Sequence, residues 1–174
     1  MILTIDVKYN DDNSWKAAAL AFNEFSDETY SHLYTLTDKD VNIQISDYIP
    51  GEFYKRELPI IKTLLETYNL NPDILIVDGY VRVYDKETDS LKNGLGAHVK
   101  EDLNLSCDVI GIAKTYFHKA ETNTSMIYHG MSNNPLYVQS YSGYSYMKEI
   151  YSMQGEHRIP TLIKLTDYFT RHDN

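Results

Sequence analysis

The sequence lacks the features that would place the protein outside the ordinary globular class. Its 174 residues include one cysteine, Cys107, so no disulfide can form within the chain. No apolar run approaches the roughly 18 residues that a membrane-spanning helix needs, and no charged-then-apolar leader opens the chain. We therefore expect a cytoplasmic protein without a membrane partner, in which Cys107 is a small core residue.

Basic residues are also scarce. Lys and Arg number 16 against 25 Asp and Glu, which gives a formal net charge of −9. Nucleic-acid-binding proteins usually carry a basic surface, so this balance argues against such a partner. An enzyme that binds a divalent metal through carboxylates can nevertheless be acidic overall and still present a local basic path. The charge balance therefore does not exclude nucleic acid.

Tyrosine, by contrast, is abundant, with 16 residues. Its ring is apolar and its hydroxyl is polar, so tyrosine suits half-buried strands, and it also stacks on nucleic-acid bases. We expect most of the tyrosines to pack in strands. Because 43% of the residues are hydrophobic and no repeat or linker interrupts the chain, we predict one domain over residues 1–174.

Hydrophobic periodicity predicts an antiparallel meander at the start of the chain. Residues 2–9 alternate and are rich in β-branched side chains, which is typical of a strand. A turn signal at 11–14 follows, and further strands are expected at 15–24 and 29–36. Short connections of this kind join strands that pair antiparallel.

The rest of the chain alternates helices with buried strands. Continuous apolar runs at 74–77 and 109–113 are typical of strands covered on both faces. Helices are expected at 52–68, 94–103, 144–153 and 160–171, a further strand at 136–138, and loops at 85–93 and 118–134. Pro59 predicts a kink or a fresh start inside the first helix. The order predicts an α/β protein with a ribonuclease-H-like mixed sheet and helices on both faces.

Three acidic residues occupy positions where an unpaired carboxylate is costly. Asp6 lies within the first strand, Asp78 closes the first buried strand, and Glu57 lies early in the helix between them. A divalent cation would relieve this cost, and such a site can activate water against a phosphodiester. Lys114 ends the next buried strand, where its ammonium can neutralise a phosphate. Taken alone, each acid is better explained without a function, since an Asp after a strand is usually a turn former, as in Asp78-Gly79.

Several short segments together resemble the endonuclease V family. They read Ile-Asp-Val at 5–7, Tyr-Ile-Pro-Gly-Glu-Phe-Tyr-Lys-Arg-Glu at 48–57, Pro-Asp-Ile-Leu-Ile-Val-Asp-Gly at 72–79, Gly-Leu-Gly-Ala-His at 94–98, Ile-Gly-Ile-Ala-Lys at 110–114 and Gly-Glu-His-Arg-Ile-Pro at 155–160, followed by Asp167. Each match is short, but they occur in the family's order. The resemblance implies a ribonuclease-H-like fold. It also implies a Mg²⁺-dependent endonuclease that hydrolyses phosphodiester bonds near deaminated bases, namely inosine, in DNA or RNA.

The resemblance also implies roles for individual residues. Asp6, Glu57 and Asp78 would hold Mg²⁺, with Mn²⁺ as a possible substitute, and Lys114 would act at the scissile phosphate. The substrate-binding residues would be Tyr48, Gly79 and His98, with Tyr48 as a wedge that stacks beside the displaced base. A base inspected outside its stack is the expected way to recognise a lesion.

Two motifs depart from the family pattern. The family usually has Asp-Gly-x-Gly followed by a His, whereas this chain has Val81 at the second Gly and Tyr84 at the His. No His stands at 139–143, where the family has a late Ser-x-Gly-His motif. The departures keep two alternatives open. One is a diverged nuclease with another structured nucleic-acid substrate, and the other is a non-catalytic module that binds nucleic acid or protein and retains the fold.

Overall fold

The structure, a computed structural model, describes residues 1–43, 45–47, 49, 52–117 and 124–172. Its strands are β1 (Ile2–Tyr9), β2 (Trp15–Phe22), β3 (His32–Thr37), β4 (Ile74–Asp78), β5 (Arg82–Asp85), β6 (Ser90–Asn93), β7 (Asp108–Ala113), β8 (Ser125–Ile127) and β9 (Leu136–Ser140). Its helices are α1 (Tyr54–Thr67), α2 (Leu95–Asp102), α3 (Met147–Ser152) and α4 (Thr161–Arg171). Seven strands form one mixed sheet in the order β3-β2-β1-β4-β7-β9-β8.

The first three strands form the predicted antiparallel meander. Strand β1 pairs with β2 in a register that sets Asp6 opposite Ala18, and β2 pairs with β3. On its other edge β1 pairs in parallel with β4, and this pairing ends where Ile5 meets Val77. The last residues of β1, from Asp6 onward, therefore extend past the paired part of β4.

Helices cover both faces of the sheet. On one face, Leu3, Ile5 and Val7 of β1 share a core with the buried face of α1, formed by Ile60, Ile61, Leu64 and Leu65. On the other face, Ala18 and Leu20 of β2 pack with Phe169 of α4. The expected mixed sheet with helices on both faces is therefore confirmed.

Helix α1 runs through Pro59 without a break, so the expectation of a fresh start there is wrong. Proline removes one backbone hydrogen bond, here the one to the carbonyl of Lys55. Lys55 lies in the first turn, and the buried side chains beyond Pro59 pack into the core. Tertiary packing of this kind supplies most of a helix's stability in a folded protein.

Two stretches expected to be loops contain strands. The predicted loop at 85–93 is largely the hairpin of β5 and β6, and β8 lies in the predicted loop at 118–134. Residues 118–123 of that second loop lie outside the described residues. The hairpin is poorly buried, so it lacks the apolar alternation by which strands are recognised in a sequence.

Of the expectations about cysteine and tyrosine, one is confirmed and one is wrong. Cys107 is buried, as predicted for a core residue. Of the tyrosines that the structure describes, only Tyr9, Tyr34, Tyr84 and Tyr137 lie in strands, so the expectation that most pack in strands is wrong. Among the described residues, no helix is long and apolar enough to cross a membrane.

Candidate active site

The candidate site lies where β4 ends between its two parallel neighbours. Strand β4 pairs with β1 and with β7 and stops at Asp78, which is level with Asp6, while β1 continues as far as Tyr9. In open α/β sheets, the crevice at the carboxyl ends of parallel strands is where ligands bind. The local strand pattern thus sets the predicted acids at the edge of one crevice.

Four acidic side chains line a cleft of about 370 Å³ at this position. Three of them, Asp6, Glu57 and Asp78, were predicted from the sequence, and the structure brings them together. The fourth, Asp167, comes from α4, the helix that covers the same sheet face as Asp6. Asp167 closes the motif pattern in the sequence, but the helical pattern there explains it equally well as a polar surface position, so it was not predicted as a site residue.

Asp6 has a strongly shifted proton affinity. Burial raises the pKa of Asp6 to about 7, and the nearby Asp78 carboxylate adds to this rise. The backbone amide of Val7, which donates to Oδ1 of Asp6 at 2.8 Å, acts in the opposite direction. Near neutral pH, Asp6 is therefore poised between its protonated and ionised forms.

Asp6 and Asp167 lie close enough for each carboxyl group to shift the pKa of the other. Asp167 remains ionised because the Arg171 guanidinium, whose Nη2 lies 2.8 Å from Oδ1 of Asp167, holds its pKa below the usual value. Two neighbouring carboxyl groups with pKa values pushed apart are typical of functional sites.

Glu57 reaches the cleft from the first turn of α1. Burial raises the pKa of Glu57 well above its usual value, and the charges of Asp6 and Asp78 raise it further, against the opposing charge of Arg56. The acids therefore repel one another in a partly desolvated cleft. Protons or a cation must offset this repulsion.

Lys114 follows β7 and lies at the same cleft, as predicted. Its Nζ donates to Oδ2 of Asp78 at 2.9 Å. Burial lowers the pKa of Lys114, but the Asp78 carboxylate outweighs this effect, so the pKa is raised overall. The ammonium is therefore charged and available to neutralise an anion.

Arg158 holds the backbone from which Lys114 projects. Its Nε donates to the carbonyl of Pro135 at 3.0 Å, and its Nη2 donates to the carbonyls of Pro135 and Lys114. The end of β7 is thereby fastened to the start of β9. The sequence motif included Arg158 but gave no indication of this role.

The acids offer the oxygen ligands that Mg²⁺ and Mn²⁺ prefer. Four acids crowd one cleft, where a cation would offset their mutual repulsion, so the residue types fit a divalent cation. Within the described part of the chain, however, no three acid, imidazole or thiol side chains already form a ligand set. Asp78 accepts a hydrogen bond from Lys114, and Asp6 accepts one from the amide of Val7. Binding a metal therefore requires these carboxylates to exchange partners.

A second cleft, of about 450 Å³, opens beside the acids and is rich in aromatic rings. Its walls are the start of α1, the loop after β4 and the β5–β6 hairpin, and its rings are Phe53, Tyr54, Tyr80, Tyr84 and Phe117. We call it the aromatic cleft. Phe53 also lines the acidic cleft, so the two are contiguous.

Gly79, a predicted substrate-binding residue, lines the aromatic cleft directly after Asp78. Its φ of 136° lies in a region that favours glycine, and an added Cβ would approach the Phe53 ring at 3.4 Å. Gly111 in β7 allows the backbone of Gly79 to pass close to it, because a Cβ on Gly111 would lie 2.4 Å from the carbonyl oxygen of Gly79. Both glycines are therefore required for the turn between the two clefts.

Val81, which stands at the position of a family glycine, is a core residue. It is 1% exposed, and its Cγ2 lies so close to Gly96 of α2 that a Cβ on Gly96 would be 2.9 Å away. Its amide and that of Arg82 each donate to Oε1 of Gln139 at 3.0 Å. Val81 and Gln139 therefore fix the loop after β4. Sequence reasoning did not identify Gln139.

The two other predicted substrate-binding residues have different outcomes. His98 stacks on Tyr54 with ring centroids 3.6 Å apart, and its Nδ1 lies 2.9 Å from Oδ2 of Asp102. Since Tyr54 lines the aromatic cleft, His98 supports that wall from behind. Tyr48, the predicted wedge, lies outside the described residues.

The sheet order, the covering helices and the acids at the ends of β1 and β4 define a ribonuclease-H-like α/β protein. The family model for endonuclease V matches residues 1–161. The chain belongs to the endonuclease V family, and the resemblance seen in the short motifs is confirmed. Membership places it among the nucleases.

Solved structures support this assignment at the level of the fold. The chain is similar to Ciona intestinalis endonuclease V in complex with a 24mer DNA containing an inosine followed by a ribo-adenosine, with a TM-score of 0.71 and 16% identity over 98% of this chain and 84% of that chain. It is also similar to human endonuclease V, with a TM-score of 0.67 and 18% identity over 98% and 82% of the two chains. For Bacillus subtilis endonuclease V the TM-score is 0.57, with 17% identity over 98% and 78%. No curated protein matches the sequence.

Proposed function

We propose that the protein is a metal-dependent endonuclease that hydrolyses phosphodiester bonds near inosine in DNA or RNA. The observation that carries this proposal is the crowding of four carboxylates with Lys114 in one cleft at the ends of parallel strands. This arrangement suits a divalent metal that meets a phosphate. The structurally similar Ciona protein was solved with inosine-containing DNA, which supports the choice of substrate.

In this proposal Asp6, Glu57 and Asp78 hold Mg²⁺, or Mn²⁺ in its place, and Asp167 is a fourth acidic neighbour. A bound metal would polarise the phosphate and activate a water for attack. Because a ligand carboxylate must be ionised, Asp6 would release its proton to solvent on binding the cation. Lys114 would then exchange Asp78 for the phosphate and neutralise its charge.

The aromatic cleft receives the displaced base. Its volume of about 450 Å³ lies within the range of small-molecule pockets, and Phe53, Tyr80 and Tyr84 offer rings for stacking. Because Phe53 lines both clefts, a base held there leaves the neighbouring phosphates beside the acids. Extruding the base from its stack permits this inspection.

The direct test is a nicking assay on matched oligonucleotides that contain inosine or adenine, with Mg²⁺, with Mn²⁺ and with chelator. We expect metal-dependent cleavage near inosine that Glu57→Gln reduces by on the order of 100-fold or more. Glu66→Gln, an exposed change on the same helix, serves as the matched control. Failure of the wild-type protein to cleave with either metal would contradict the proposal.

A diverged nuclease is the second candidate. It is favoured by Tyr84, which stands in the aromatic cleft at the position of a family His. Flap, junction and structured RNA substrates in the same assay distinguish the two. Stronger cleavage of these than of the inosine strand would favour the second candidate, while binding without any cleavage would indicate a non-catalytic module.

A further inference from the structure

Lys8 brings a positive charge to the acidic cleft that none of the roles above uses. It follows Asp6 by two positions in β1, and side chains two apart on a strand point to the same face. Both residues line the acidic cleft together with Lys114 and Arg171. Lys8 therefore lies in the active-site cleft itself, in the part of β1 that extends past β4.

The strand register places a second lysine beside the first. Lys8 lies directly opposite Lys16 across the β1–β2 pair, and like charges in such a pair destabilise a sheet. Lys16 donates to the carbonyl of His172 at 2.8 Å, and Arg171 is bonded to Asp167. For Lys8, no hydrogen bond or ion pair occurs within the described ranges of the chain. The Lys8 ammonium thus faces a like charge and has no partner among the residues that the structure describes.

The order of the strands places Lys8 and Lys114 on opposite sides of the acids. Across the sheet, Lys16 lies on β2, Lys8 and Asp6 on β1, Asp78 on β4, and Lys114 just after β7. Cations therefore flank the acids on both sides. Strands about 4.8 Å apart make the path from β2 to the end of β7 about 14 Å. A path of this length can contact more than one phosphate of a nucleic-acid strand.

We propose that Lys8, with Lys16 and Arg171 beside it, forms a phosphate-binding subsite that holds the backbone of the nucleic-acid strand on the opposite side of the acids from Lys114. The inference rests on the proposed function, since it assigns the strand that is cut to this path. Phosphate contacts position a strand without reading its sequence. The subsite therefore acts equally on damaged and undamaged strands.

The test measures oligonucleotide binding by fluorescence anisotropy over a range of salt concentrations. All proteins carry Glu57→Gln to prevent cleavage, and Lys8→Gln is compared with Lys148→Gln, an exposed change on α3. We expect Lys8→Gln to reduce the slope of log K against log salt by about 0.7–0.9, the value of one phosphate contact. Lys8→Gln should weaken binding of the inosine strand and of the adenine strand by the same factor. Lys148→Gln should change neither the affinity nor the salt slope.

The outcomes separate this inference from the proposed function. If the parent binds and Lys8→Gln binds with the same affinity and salt slope, the subsite is excluded while the proposed function stands. If the parent binds no oligonucleotide, both fail. Thermal unfolding guards against a folding defect, because removal of the Lys8–Lys16 repulsion should leave the melting temperature unchanged or raised.

A scan with single neutral methylphosphonate linkages then locates the contact. One linkage close to the inosine should weaken binding by the parent and have no effect on Lys8→Gln, because the charge partner is already missing. Equal losses for both proteins at every linkage would overturn the assignment of Lys8 to a phosphate.

Discussion

Lys114 Nζ lies 2.9 Å from Oδ2 of Asp78, so the cation assigned to the phosphate is bonded to an acid assigned to the metal. Both side chains are 43% exposed, and exposed ion pairs contribute little to folding stability. The pair is therefore better explained by the chemistry of the cleft than by the fold. A metal ion that binds Asp78 would release Lys114 to bind the phosphate. Metal binding and phosphate binding would therefore be coupled.

Asp78→Asn should accordingly separate stability from activity. We expect its free energy of unfolding to stay within about 1 kcal/mol of the wild-type value, because the lost ion pair is exposed. Cleavage in single-turnover assays should fall on the order of 100-fold or more. Urea denaturation measures the first quantity. A loss of several kcal/mol would show instead that the pair is structural.

The raised pKa of Asp6 predicts that the metal-free protein loses stability as the pH rises. The pKa of Asp6 is about 7 in the folded protein, against 3.8 for an unperturbed carboxyl in the unfolded chain. Between these two pH values, folding is therefore coupled to uptake of a proton. The stability held by the protonated carboxyl is complete below about pH 4 and is lost as the pH rises through 7. Glu57, whose pKa is also raised, acts in the same direction.

Asp6→Asn tests this linkage, because an amide cannot ionise. At pH 8 without metal, we expect the variant to be more stable than the wild type by about 1–2 kcal/mol, a figure that allows for solvent screening of a half-buried group. Its stability should also depend less on pH between 4 and 8. Denaturation curves across this range provide the measurement, and equally steep profiles for both proteins would contradict the assignment to Asp6.

Arg158 is expected to position Lys114 through the backbone. Arg158→Met leaves the carbonyls of Lys114 and Pro135 without their shared donor, which should destabilise the fold by about 1–3 kcal/mol. Because the end of β7 is then less well fixed, kcat should fall more than KM rises. Arg158→Lys restores a charge without the planar fork and should recover only part of kcat. Full activity in Arg158→Met would exclude the positioning role.

The central strands could be predicted because burial leaves a pattern in the sequence. The alternation in β1 and the apolar runs of β4 and β7 follow from one or two covered faces, and so Asp6 and Asp78 could be placed at strand positions. The β5–β6 hairpin could not, because its exposed residues carry no such pattern. Asp167 approaches Asp6 through the packing of α4 on the sheet, a tertiary contact that local periodicity does not contain.

The departures from the family pattern at Val81 and Tyr84 are expected to have separate effects. Val81 is a core residue, so Val81→Gly should cost about 2–3 kcal/mol of stability and leave the ratio of inosine to adenine cleavage unchanged. Tyr84 lines the aromatic cleft, and its hydroxyl donates to Asp89. Tyr84→Ala should lower kcat/KM for the inosine strand. The loss should correspond to about 1–3 kcal/mol of transition-state stabilisation, the value of one stacked base, with little change for adenine. Parallel kinetics and thermal unfolding of both variants measure these effects. If Val81→Gly altered base selection and Tyr84→Ala did not, the base would have to bind against α2 and not in the aromatic cleft.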